Sequence, residues 1–262
     1  LAMVLDWLIN VHKIEKQPYK MLFFGFLYSL LAATLAILIF PEKASMTMLV
    51  LTVAAFLPIY LRLVKLEEIK DEKHRPFIGQ HWPTLQFFVY MFLGMIFTYI
   101  CLTLILPSTY FSKLFSAQLE ILARRGIELG ALTNPSNAFV TIFFNNLKVL
   151  IVGILLAFIY GAGAIFVLEW NAAVLGVLIG GLLRGNIALS PFKYLVHGVP
   201  EITAYFIGGL GAAMVSVALA RHKPTDPKFK KILLDSLNLI LISISVLFLA
   251  AILEVTVSPL LG

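Results

Sequence analysis

The sequence predicts an all-α protein: a polytopic transmembrane helix bundle of about seven spans, accompanied by interfacial helices. Three observations carry that prediction. Of 262 residues, 60% are hydrophobic and only 13% charged, more apolar side chain than one soluble core can hide. Apolar runs recur at the length that crosses a hydrocarbon layer of about 30 Å, roughly 17 to 25 helical residues. Lysines and arginines gather beside alternate ends of those runs. The formal net charge of +6 is therefore topological and asks for no nucleic-acid partner.

Taken in order, residues 1–20, LAMVLDWLINVHKIEKQPYK, mix apolar and charged side chains and are expected to form an amphipathic interfacial helix. Spans are expected near 21–40, 47–64, 85–106, 147–165, 168–184, 201–220 and 233–257. The first two form a hairpin within a unit of residues 21–84 that ends in the charged cytoplasmic loop KLEEIKDEKHR. In this loop region His74 and His81 are expected to be solvated, and Trp82 and Pro83 mark the return to the membrane. Residues 85–262 make a five-span core. Within it, 107–137 carries Phe111, Leu114, Phe115, Leu119 and Leu122 at helical spacing, with Gly126 and Gly130 as stops, and is expected to lie on the outer surface. Residues 187–199 are expected to lie in the interface in the same way.

The boundary between spans four and five falls either at Gly161–Gly163 or at Glu169–Asn171. The second placement leaves a helix of only about 20 Å, which would be re-entrant rather than crossing. Lys148 reads as a snorkelling anchor at a span end, and Glu169 beside Trp170 as a cytoplasmic-side interface pair.

With the amino terminus cytoplasmic, thirteen lysines and arginines fall inside and six outside, with Lys148 near or within a span. The expectation is a multi-pass plasma-membrane protein, amino terminus in and carboxyl terminus out. On that topology Asn145, Asn146, His197, Glu201 and Glu254 converge in the outer part of the bilayer, as one outward-facing polar pocket. Polar groups inside a membrane are costly, so they face the protein and pair. His197 and Glu201 are four residues apart, but Pro200 favours a helix beginning at about 199 or 200, with His197 on the preceding turn. Gly208, Gly209, Gly211 and Ala212 then form a small-residue face for close helix packing.

Three readings of the pocket stay open: an interhelical hydrogen-bond network, a site for a divalent metal or a headgroup held by His197, Glu201 and Glu254, or an intramembrane enzyme with Glu201 as base. The chain has no H-E-x-x-H or G-x-S-x-G, and Cys101 is its single cysteine, so no cysteine-based metal site can form. No cofactor is otherwise expected.

The runs FFNNLKVLIVGILLAFIYGAGAIFVLEWNAAVLG (143–176), HGVPEITAYFIGGLGAA (197–213) and AAILEVTVSPLL (250–261) together resemble the stage II sporulation protein M (SpoIIM) family over about residues 85–257. The resemblance implies a five-span core, to which the first hairpin is an addition. It also implies, in spore-forming bacteria, partnership with peptidoglycan-degrading proteins during engulfment, although members occur in organisms that neither sporulate nor build such walls. Ala172 stands where the family pattern has glycine. The functional expectation is a non-enzymatic scaffold or transport-type component, in contact with membrane lipid and assembling with itself or with other membrane or extracytoplasmic proteins. The alternative is a metal-dependent or hydrolytic enzyme acting at the outer leaflet.

Overall fold

The computed structural model describes residues 17–69, 77–131, 135–160, 163–185 and 191–261. The expected interfacial helix at 1–20 thus falls mostly outside the described residues, as do His74 and most of the charged loop. Among the described residues there are nine α-helices and no strand: α1 (Lys20–Ile39), α2 (Ala44–Ile69), α3 (Phe77–Ile105), α4 (Ser108–Leu114), α5 (Ser116–Ala131), α6 (Pro135–Tyr160), α7 (Gly163–Leu183), α8 (Pro191–Arg221) and α9 (Pro227–Thr256). All but α4 and α5 contain a stretch long and apolar enough to cross a membrane, which makes seven spans. An odd number of crossings puts the start of α1 and the end of α9 on opposite faces. We call the latter the distal face; α4 and α5 lie there, between α3 and α6.

The helix boundaries revise several expectations. The fourth span begins at Pro135 rather than near 147, because Pro135 suits a first helical position and the apolar residues from Phe139 onward already continue the helix. Lys148 is thereby moved from a span end to the middle of α6. The break between spans four and five lies between Tyr160 and Gly163. The 21 residues of α7 rise about 32 Å, long enough to cross, unlike the short helix that the second placement of the break would leave. Glu169 consequently sits about 9 Å inside α7 and is no interface residue. Helix α5 runs through Gly126 and Gly130 to Ala131, so neither glycine stops it. His81 is 5% exposed within α3, not solvated.

The first hairpin is built into the bundle. In α1 the small residues Gly25, Ser29, Ala32, Ala33 and Ala36 are buried, while Phe23, Leu31, Leu35 and Leu38 are exposed to lipid. The buried stripe lets α1 close on α3 to backbone contact: a Cβ on Gly25 would strike the Met91 carbonyl, and one on Gly94 would strike the Leu22 carbonyl. Only glycine at both positions allows this approach. Helix α2 packs on α7 and α8, where the fully buried Tyr60 reaches the Gly209 carbonyl at 3.5 Å. Phe88 of α3 and Phe206 of α8 stack with centroids 5.9 Å apart. The surface helices are held from below. Phe115, at the break between α4 and α5, is fully buried edge-on to Tyr99, and the buried Gln118 accepts from Ser45 of α2 at 2.8 Å.

Candidate functional site: two polar clusters within the bundle

Helix α8 is continuous from Pro191 to Arg221 with Pro200 in its interior, so the helix does not begin at 199 or 200. Proline removes one backbone donor and clashes in the preceding turn, but in lipid any unwinding would expose further unpaired groups, so the helix persists. His197 and Glu201 therefore share one face, a turn apart. The same continuity carries residues 191–199 into the helix, instead of along the interface.

Around that face lies the distal cluster. His197 and Glu201 are each 6% exposed. His197 Nδ1 lies 3.0 Å from Ser258 Oγ, in the 3-10 turn that follows α9, and its Nε2 lies 3.7 Å from a Glu254 oxygen. The second distance is too long for a hydrogen bond, and the contact becomes an ion pair only when the imidazole is protonated. Glu201 Oε1 accepts from the Tyr205 hydroxyl at 2.9 Å, one turn further along α8. The effect is to tie the distal half of α8 to the end of α9.

The asparagines separate. Asn146 is buried on the inner face of α6, whereas Asn145 is exposed on its outer face and is not part of the cluster. Among the described residues no three His, Cys, Asp or Glu side chains are grouped as a metal ion would require, His197, Glu201 and Glu254 included. The small residues of α8 lie where the neighbouring helices come closest. A Cβ on Gly208 would meet Leu150 and Ser243 at 2.7 Å, one on Gly209 would meet Ala164 at 2.5 Å, and one on Gly211 would meet the Ser236 carbonyl at 2.9 Å. Ala212 is fully buried beside them. Ser243 of α9 also donates to the Ala204 carbonyl at 2.7 Å.

A second cluster, between spans one, two, three and five, is one that sequence reasoning missed. Glu169 of α7 is fully buried and one of its oxygens accepts from the Tyr99 hydroxyl of α3, with the Thr52 hydroxyl of α2 alongside. Its other oxygen has no hydrogen-bond partner among the described residues. Nearby, Ser29 Oγ donates to Thr98 Oγ1 at 2.9 Å, and Thr98 donates in turn to the Phe26 carbonyl at 2.9 Å. The two hydroxyls reinforce the backbone contact of α1 with α3. Helix α7 can reach α3 because Gly176 and Gly180 face Tyr99 and Thr103. The only sequence signal for this cluster was a lone carboxylate in an apolar run; its partners lie some 70 residues or more away.

Both clusters fall largely within the region shared with known proteins. A sequence profile described as stage II sporulation protein M matches residues 84–259, which is α3 to α9 and more than half of the chain. An uncharacterized protein of the archaeon Methanocaldococcus jannaschii is 30% identical over 126 residues, covering 46% of this chain and 71% of the relative. No solved structure matches. This multi-pass chain, matched by that profile from residue 84 to residue 259, belongs to the stage II sporulation protein M family.

Proposed function

We propose that this protein is a non-enzymatic membrane scaffold, with its amino terminus cytoplasmic and its distal face outside, on which partner proteins assemble. The observation that carries this reading is the state of the distal polar side chains. His197 is engaged with Ser258 and Glu254 across α8 and α9, and Glu201 with Tyr205 along α8, rather than ranged around an open cleft. Such an arrangement rigidifies a face and leaves little room for a substrate. Rigid support also suits the surface helices: Lys113 pairs with Glu42 at 2.7 Å, joining α4 to the turn before α2, and α5 presents Glu120 and Arg124 outward. Basic residues concentrated on the opposite face support the orientation.

The test is a pair of variants, His197→Ala and Glu201→Gln, purified in mild detergent. A structural network predicts a loss of about 1–2 kcal/mol of stability for His197→Ala, by comparison with interhelical hydrogen bonds elsewhere, and of about 0.5–1.5 kcal/mol for Glu201→Gln, whose bond to Tyr205 runs along α8. Unchanged thermal stability, combined with a turnover that Glu201→Gln abolishes, would refute the scaffold reading in favour of an enzyme.

A further inference from the structure

Helix α6 is the least covered of the seven spans: 17% of its most apolar stretch is buried, against 61% for α7 and 78% for α8. Its exposed face carries Asn137, Thr141, Asn145 and Lys148. At 100° per residue these four fall within an arc of about 80°, forming one polar stripe that runs from the distal end of the helix to its middle. Below them the same face turns apolar, with Ile151, Val152 and Leu155 exposed.

The depth of Lys148 makes this stripe expensive. It lies thirteen residues from Pro135 and twelve from Tyr160, so its Cα is about 20 Å from one end of α6 and 18 Å from the other. Side chains lean toward the helix amino terminus, which directs the ammonium along the stripe toward Asn145. Snorkelling by about one turn, roughly 5 Å, still leaves the charge well inside a hydrocarbon layer of about 30 Å. Among the described residues Lys148 has no acidic partner; of the carboxylates within spans, Glu169 and Glu201 are buried inside the bundle and Asp235 is half-buried on α9. Intramembrane charges are stable facing a partner, and none is found for Lys148 among the described residues.

We propose that the outer face of α6 is the docking surface for a transmembrane helix of a partner protein, and that this helix carries a carboxylate at the depth of Lys148, with Asn145 and Thr141 completing the polar contact. Charge complementarity selects this occupant. A second copy would bring another Lys148 against it, and the acids it could offer among its described residues lie at other depths: Glu42, Glu120 and Glu254 near the distal surface, Asp226 at the opposite one, and the half-buried Asp235 about 12 Å from the proximal end of α9. The proposal rests on the scaffold reading for the nature of the partner, and adds the face and chemistry by which it is held.

The experiment uses the full-length protein in phosphatidylcholine vesicles with a donor fluorophore, and synthetic transmembrane peptides of leucine and alanine bearing an acceptor. One peptide carries a single central Glu, a second Gln, a third Lys. The expected result is association of the Glu peptide about three- to tenfold tighter than the Gln peptide, abolished by Lys148→Leu. In Lys148→Glu the preference should pass to the Lys peptide, a gain that a misfolded variant cannot produce. Equal association of all three peptides would overturn the proposal. So would energy transfer between protein copies that is lost in Lys148→Leu and not displaced by the Glu peptide, which would assign the face to self-association. Both outcomes leave the Glu201→Gln stability result untouched, so failure here is distinguishable from failure of the scaffold reading.

Discussion

Replacing Tyr99 by Phe removes one oxygen from the middle of the bundle, and its consequence can be worked out from the second cluster. Glu169 is fully buried, accepts from the Tyr99 hydroxyl through one oxygen, and has no partner for the other among the described residues. No lysine or arginine is among the buried described side chains. Loss of the hydroxyl therefore leaves the buried carboxyl group with only the Thr52 hydroxyl beside it. An unsatisfied buried polar group costs about 1–3 kcal/mol in soluble proteins, and interhelical bonds in membranes average nearer 0.6 because the unfolded chain also finds partners. We expect Tyr99→Phe to destabilise by about 1–2 kcal/mol. Glu169→Leu should cost less than this, since an apolar side chain of similar size removes the stranded group altogether. In the double variant the loss should fall below the sum of the two single losses by about 1 kcal/mol, which is the coupling across α3 and α7. The assay is equilibrium unfolding in mixed micelles followed by circular dichroism. A neutral Tyr99→Phe, or strictly additive single and double variants, would refute the claim that this pair holds α7 to α3.

Two further outcomes follow from packing and topology. Gly94→Ala, whose Cβ would run into the backbone of α1, should cost about 1–3 kcal/mol by overpacking; Gly198→Ala, with nothing within 4 Å of the added Cβ, should be neutral or stabilising by about 0.5–1 kcal/mol. Similar losses at both sites in the same unfolding assay would contradict the α1–α3 contact. In a Cys101→Ser background, Glu120→Cys on α5 should react with an impermeant maleimide from outside the cell. Lys223→Cys, in the turn before α9, should react only after permeabilisation, and the reverse pattern would invert the orientation.

The spans were legible because chain length and hydropathy alone fix them: a bilayer demands about 20 apolar residues and a helix, whatever the packing. His197 and Glu201 stood out for the same reason, as polar groups in an apolar setting. Their relation to each other did not. Pro200 indicates a helix start in water, whereas in lipid the cost of exposed backbone keeps α8 intact through it, and the two residues come to share a face. Lys148 was misplaced because a charge invites a span end, and Glu169 because Trp170 beside it suggests an interface. In each case the deciding fact was where the adjoining helix begins. Gly25 and Gly94 belong to no recurring motif, and nothing short of the fold pairs them across 69 residues.

The seating of α1 and α2 has a steric consequence for assembly. A helix approaching from outside can reach backbone contact only where glycines face outward, and on α3 that place, Gly94, is already filled by α1 of the chain's own first hairpin. The hairpin thus acts as an internal plug, occupying in cis the positions a second chain would otherwise take. A helix seeking that position would have to displace α1, whereas α6 is the span least covered by the rest of the bundle.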